Sequence, residues 1–208
     1  MNYSSLVSQI QNFMEDDSTE LSNSINDIIA QAEEMIFQRL PSLPCFRQLA
    51  TANFVVGTFD YTVANARMIR QVSITDSSSN ISFLNHRIDS YLRDFHPNTS
   101  TTSTPEMYST KNATTSGIIF TVAPTPSATL AYQVDFVAPV SGLSSSNTTT
   151  WLGDNAENVL LAAALYETSA FLKASETLSL YKAQFDEAIA LFQQEMARNY
   201  TAEYNAGI

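Results

Sequence analysis

Cysteine is nearly absent from this chain: Cys45 is the only one in 208 residues. No internal disulfide can form, and no cysteine-based zinc site can be assembled. Glycine is scarce at five residues, and G-x-x-x-x-G-K-S/T, G-x-G-x-x-G and G-x-S-x-G do not occur. Loops that cradle phosphates and nucleophile elbows are therefore not provided for. The two histidines, His86 and His96, stand ten residues apart with no further nitrogen or sulfur ligands at metal-binding spacing. Surface or turn positions are the simpler reading for both. Cys45 lies between Pro44 and Phe46, with no base or cationic neighbour to activate it, and reads as a small buried hydrophobe.

Basic residues are also few, ten against 21 acids, for a formal net charge of −11. Binding DNA by phosphate neutralisation requires clustered Lys and Arg, so that class is excluded. An acidic wall past which DNA slides is compatible with the charge. Charged residues make up 15% of the chain, well under the ~25% typical of soluble domains. Ser, Thr and Asn take their place, giving a surface that neighbours can cover at low desolvation cost. A loop-rich secreted domain has the same composition. The opening MNYSSLVSQI lacks a basic segment followed by an apolar run, so no signal peptide is expected and folding in a cytoplasm is. The sequons at Asn98, Asn112 and Asn147 are then accidents of composition. Val159–Tyr166, the longest apolar run, falls short of the ~20 residues a membrane span requires.

Three zones differ in periodicity. In residues 1–44, Tyr3, Leu6, Val7, Ile10, Phe13 and Met14 recur at helical spacing. After Glu15-Asp16-Asp17-Ser18 a second stripe runs through Leu21, Ile25, Ile28, Ile29, Ala32, Met35, Ile36 and Leu40, and Pro41 and Pro44 stop it. The acidic run Glu15–Glu20 lacks the central glycine and the spaced glutamate of a calcium loop and reads as a solvated turn. Residues 45–150 predict strands over 48–56, 67–75, 80–84, 118–122 and 129–137, with one short helix over 86–95 carrying Ile88, Tyr91, Leu92 and Phe95 on a face. The five arginines of this zone, Arg47, Arg67, Arg70, Arg87 and Arg93, can pair locally or with a neighbouring subunit. Residues 98–104 and 141–150 read as loops.

From 151 to 197 the pattern is helical again. Asp154 followed by Glu157 resembles a capping box, Val159–Tyr166 is apolar on nearly all sides, and 173–175 leaves room only for a tight turn with Ser175 as the next N-cap. Leu178, Tyr181, Phe185, Ala188, Ile189 and Phe192 mark the inner side of the last helix. Residues 198–208 read as a polar tail, disordered when unpartnered and able to order on a partner. Trp151 and Leu152 are expected to pin the β-rich module to the helices, with a cost of about 3–5 kcal/mol for loss of a buried Trp. The fold class expected is α+β: a helical bundle made from the N- and C-terminal helical pairs, with an antiparallel β-module inserted between them.

The order and spacing of these segments resemble the head-to-tail adaptor (connector) proteins of tailed bacteriophages. The resemblance rests on AEEMIFQRLP (32–41), APTPSATLAYQVDFVAPV (123–140), TTTWLGDNAENVLLAAALYETSAFLK (148–173) and YKAQFDEAIALFQQEMARNYTAEY (181–204). It implies a structural virion protein at the head–tail junction, a ring of twelve copies docked under the portal that offers a surface to the next tail or neck component while DNA passes through its lumen. It further implies that Arg198, Asn199, Tyr200, Glu203, Tyr204 and Ile208 reach onto the portal. No acid/base, nucleophile or metal-ligand set can be assembled from these residues, so no enzyme, no cofactor and no metal is expected, and no membrane partner. Two other readings stay open: a tail-completion, neck or baseplate protein of different symmetry, and a ligand-binding β-module on a helical stalk. The last predicts an exposed aromatic cluster and a stable monomer.

Overall fold

The computed structural model describes residues 1–206, with side chains described to Arg198. The protein is mixed α+β. Helices α1 (Tyr3–Met14) and α2 (Thr19–Arg39) come first, then a 3₁₀ turn, Pro44–Phe46. Strands β1 (Arg47–Asn53), β2 (Asp60–Ala64), β3 (Met68–Thr75), β4 (Ile81–Phe83) and β5 (Asn85–His86) follow. After helix α3 (Asp89–Phe95) come β6 (Thr102–Ser103), β7 (Met107–Thr114), β8 (Gly117–Ala123), β9 (Thr125–Pro126) and β10 (Ala131–Val137). Helices α4 (Trp151–Asn155), α5 (Glu157–Phe171) and α6 (Ser175–Ala206) end the chain. Two compact units result: Met1–Pro41 with the chain from Val140 onward, and Ser42–Pro139.

In the first unit, α5 packs against α1, α2 and α6. Its apolar surface runs all round, and Val159, Leu160, Ala162, Ala163, Ala164, Leu165, Thr168 and Ser169 are buried. The alanines let neighbouring helices approach closely, while Leu6, Ile10, Ile25, Ile29 and Ile36 of α1 and α2 are buried in the same unit. Both buried hydroxyls of α5 are satisfied: Thr168 donates to the Ala164 carbonyl (2.7 Å), and Ser169 meets Met14 Sδ (4.0 Å). The acidic turn Glu15–Ser18 is a pair of caps. Glu15 adopts a left-handed conformation (φ 52°) that closes α1, and Ser18 accepts from Leu21 N–H to open α2. Asp16 accepts from Ser18 N–H (2.8 Å), which holds its carboxyl below the usual range.

The capping box expected at Asp154 and Glu157 does not form. Thr150 caps instead, accepting from Gly153 N–H (3.2 Å), and begins the short α4. Gly153 is buried with the Met1 carbonyl oxygen where a Cβ would stand, so only glycine fits there. The chain then re-enters helix at Ala156, which has no side-chain cap.

The 140–150 segment belongs to the helical unit, which begins eleven residues earlier than the sequence boundary at 151. Tyr3 N–H donates to the Thr148 carbonyl (3.0 Å), and Leu143 N–H donates to both carboxylate oxygens of Glu33 (3.0 and 3.1 Å). Burial pushes the Glu33 carboxyl above its ordinary range, against the opposing pull of that N–H. Because the folded-state value lies above the unfolded one, the stability this group contributes is fully present below the unfolded pKa and is lost as pH rises through the folded value. Glu33→Gln keeps an acceptor and removes the desolvated charge. It is expected to be at least as stable as the parent near pH ~8 and to lose that advantage near pH ~4. Glu33→Ala orphans the amide and should cost about 1–3 kcal/mol at either pH. Urea unfolding at the two pH values checks this, and a Gln variant as unstable as the Ala variant near neutrality contradicts it.

The second unit holds two four-stranded sheets, ordered β1-β10-β3-β4 and β2-β8-β7-β5, and a two-stranded piece, β6-β9. The first is antiparallel throughout; in the second, β5 lies parallel to β7. The inner sides of both sheets supply one core. Val72, Ile74, Val134 and Phe136 come from the first, and Val63, Tyr108, Ile118, Phe120 and Val122 from the second. Alternation along β10 places Tyr132, Val134 and Phe136 inward, as its sequence pattern requires. Phe54, Tyr61 and Tyr132 form an aromatic group within this core, with Phe54 stacked on Tyr132 at 4.5 Å.

Candidate functional site

Among the described residues no cluster of His, Cys, Asp or Glu is arranged to hold a metal. His86 is exposed and lies beside Tyr108 (ring centroids 5.0 Å), and His96 closes α3 as its C-cap. Burial pushes the Cys45 thiol up to about 11, which leaves it inert near neutral pH. What remains to be explained are the surfaces.

Charge divides sharply between the two units. Residues 42–139 carry six Lys and Arg and six Asp and Glu, so the middle of the chain is neutral and the whole −11 belongs to the helical unit. Local pairing accounts for much of the basic set in the β unit: Arg70 with Asp135 (3.8 Å), Arg93 with Asp89 (4.0 Å) and Lys111 with Asp60 (3.1 Å). Arg87 lies over the Tyr91 ring at 5.6 Å. In the helical unit, a cleft of about 440 Å³ between the α4–α5 junction and α6 is lined by Asp154, Glu157, Glu187 and Glu195, with Leu191 exposed beside them.

Helix α6 is the element of unusual length. At 32 residues it extends about 48 Å, more than twice the 15-residue α5 against which it packs. Tyr181, Phe185, Ile189 and Phe192 are its buried face. Beyond Phe192 the covering ends: only Met196 is half-buried before Arg198, which is exposed. The expected stop near Ala197 is corrected here. The helix continues through Ala206, because Ala197, Ala202, Glu203 and Ala206 favour it and no glycine or proline intervenes before Gly207. Asn199, Tyr200, Glu203 and Tyr204 thus fall on helix, with side chains outside the described residues; Ile208 lies outside them altogether.

Trp151 is half-buried, and its ring meets Phe192 edge-on at 6.4 Å, within the helical unit. Leu152 is the more buried of the pair, at 2% exposure. The face predicted for α3 is split. Leu92 is fully buried, whereas Ile88 and Phe95 are exposed and Tyr91 stacks on Phe95 at 4.5 Å. Sequence periodicity could not separate these two sides on a seven-residue helix.

The family described as SU10 adaptor protein matches residues 1–206, nearly the entire chain. The chain belongs to the SU10 adaptor protein family. This is a family of phage head-to-tail adaptors, so the protein is a structural component of a phage particle rather than a member of a known enzyme family. No curated protein is detectably similar to this SU10 adaptor. No helix among its described residues is long and apolar enough to cross a membrane.

Proposed function

We propose that this adaptor forms a ring of twelve copies beneath the portal of a filled phage head. In this reading both chain ends make one helical bundle from which the β-module is inserted. The C-terminal end of α6, with Arg198, Asn199, Tyr200, Glu203 and Tyr204, docks on the portal. Other surfaces of the ring receive the next tail or neck component, and DNA passes through the lumen without sequence-specific contact.

The observation that carries the reading is α6 running past the helix that covers it. Among the described residues after Phe192 only Met196 is half-buried, and a helix segment so little covered is stabilised little by its own unit, since most helical stability in proteins comes from tertiary packing. A partner helix or groove supplies that packing. The concentration of the −11 charge in the helical unit supports the lumen assignment, because carboxylates repel the phosphate backbone. Mixed with its cognate portal at near-physiological salt, the adaptor should form ring-on-ring particles in electron images; components that stay separate contradict the proposal.

A further inference from the structure

The first four-stranded sheet of the β unit, β1-β10-β3-β4, ends in two open edges, β1 on one side and β4 on the other. Edge strands are usually blunted by lysine, proline or a bulge. Neither β1 nor β4 contains a lysine or a proline, and Arg47 at the start of β1 is their only charge. Instead these edges carry some of the most exposed hydrophobic side chains of the protein: Leu49 at 65%, and Ile81 and Phe83 at 63% each.

Backbone bonding shows which groups point off the sheet. Phe54 N–H donates to the Leu130 carbonyl (2.8 Å) and Ala138 N–H to the Phe46 carbonyl (3.0 Å), which assigns the even-numbered residues of β1 to the β10 ladder. By the alternation of antiparallel pairing, Leu49 and Thr51 direct their N–H and C=O groups outward. On the other side, Leu84 N–H donates to Val72 (2.8 Å) and Asp76 N–H to Asn80 (3.0 Å), so Ser82 faces β3 while Ile81 and Phe83 direct their backbone groups outward. The register places all four side chains on one face. Thr51, Gln133, Ser73 and Phe83 form a single row across the sheet, opposite to the core face of Val72 and Val134.

We infer that β4 of one copy pairs antiparallel with β1 of the next, with Phe83 opposite Leu49 and Ile81 opposite Thr51. This rests on the ring reading above and names its subunit contact. Three features select a second copy as the occupant. Four alternating strands require that the strand added beyond β4 run in the direction of β1, which a copy in the same orientation supplies. A contact between two different edges is head-to-tail, the kind that closes into rings. The β unit is also the neutral part of a chain of net charge −11, so copies meet there with the least mutual repulsion. Phe83 against Leu49 is then an apolar cross-strand pair, the usual unit of sheet stabilisation.

Cysteine pairing tests this in the full chain with Cys45→Ser. Within one copy, positions 49 and 83 are separated by three strand spacings, about 14 Å, beyond the ~7 Å that a disulfide spans. Leu49→Cys and Phe83→Cys together should give, on mild oxidation, a ladder of cross-linked species extending to the full copy number of the ring. Either substitution alone should give no ladder, and an equimolar mixture of the two single variants should stop at dimers. As a second arm, Phe83→Lys should abolish rings in native mass measurements while leaving the monomer's unfolding curve unchanged. Rings that form at full mass without the ladder, or that survive Phe83→Lys, overturn the edge pairing and leave the ring reading intact. Protein that stays monomeric alone and with its portal overturns both.

Discussion

Removal of Arg198–Ile208 is expected to abolish portal binding while leaving the rest of the protein folded. The two halves of that expectation have separate grounds. Stability should hardly change, because the buried face of α6 ends at Phe192 and nothing from there to Arg198 is fully buried. Binding should collapse, because the deleted segment carries Tyr200 and Tyr204, one helical turn apart in sequence, and Arg198. Tyrosine and arginine are the residue types that most often dominate interface energy, at about 2 kcal/mol or more each when they are hot spots. Two such anchors correspond to roughly a thousandfold in affinity. Cosedimentation of the truncated chain with the portal, set beside its thermal unfolding, measures both. Binding that survives with its original affinity removes α6 from the interface. A truncated chain that fails to fold shows that the segment serves its own unit.

Phe54→Ala is expected to destabilise the β unit by about 3–5 kcal/mol. Phe54 is fully buried, stacks on Tyr132 at 4.5 Å and lies 4.9 Å from Tyr61. Tyr61 is itself tied down, with its hydroxyl donating to the Thr58 carbonyl (2.8 Å) and accepting from Val55 N–H (3.0 Å). That anchoring limits how far the ring can move into a vacated space, so a cavity should remain and its cost should be added to the lost transfer energy. Favourable ring geometry contributes about 0.5–1.5 kcal/mol more. Urea unfolding followed by a probe in the β unit reads the change, and a loss below about 1 kcal/mol would show that the site closes around the missing ring. The same variant tests the subunit contact indirectly, since β1 ends at Asn53 and its edge is held in place by this core.

Long amphipathic elements were legible in the sequence. The stripes of α1 and α2, the all-round apolar surface of α5 and the inner face of α6 depend on many residues at one period, and the structure follows them except at the end of α1, where only Leu6 and Ile10 are fully buried and Phe13 is 56% exposed. In the β region, β1, β3, β4, β8 and β10 were legible from β-branched and aromatic runs. Strands β2 and β7 were not. Only Val63 of β2 is fully buried, and β7 after Ser109 is a polar, exposed run that reads as loop. Such strands are specified by the partners they pair with rather than by their own pattern. The short β9 includes Pro126, a residue that reads as a break and is tolerated because this strand lies in a two-stranded piece.

The candidate surfaces were legible to different degrees. The C-terminal segment stood out as a proposed docking element by its polar, tyrosine-bearing sequence, but its helical state was not legible, because nothing local marks where tertiary support ends. The segregation of charge was present in the sequence once the unit boundaries were known: Asp60, Asp89 and Asp135 each balance a cation of the same unit. The open edges were beyond reach, since which strand lies at the rim of a sheet depends on long-range order. Glu33 holding Leu143 across 110 positions of sequence belongs to the same class.

The measurement that bears most directly on this account is the mass of the particle formed when the full-length adaptor meets its portal. The account predicts the portal ring plus one complete ring of 22.9 kDa subunits, in a fixed copy number and with no partly filled species at saturation. A portal that keeps its own mass at saturating adaptor, or that gains a variable number of single chains, would contradict it.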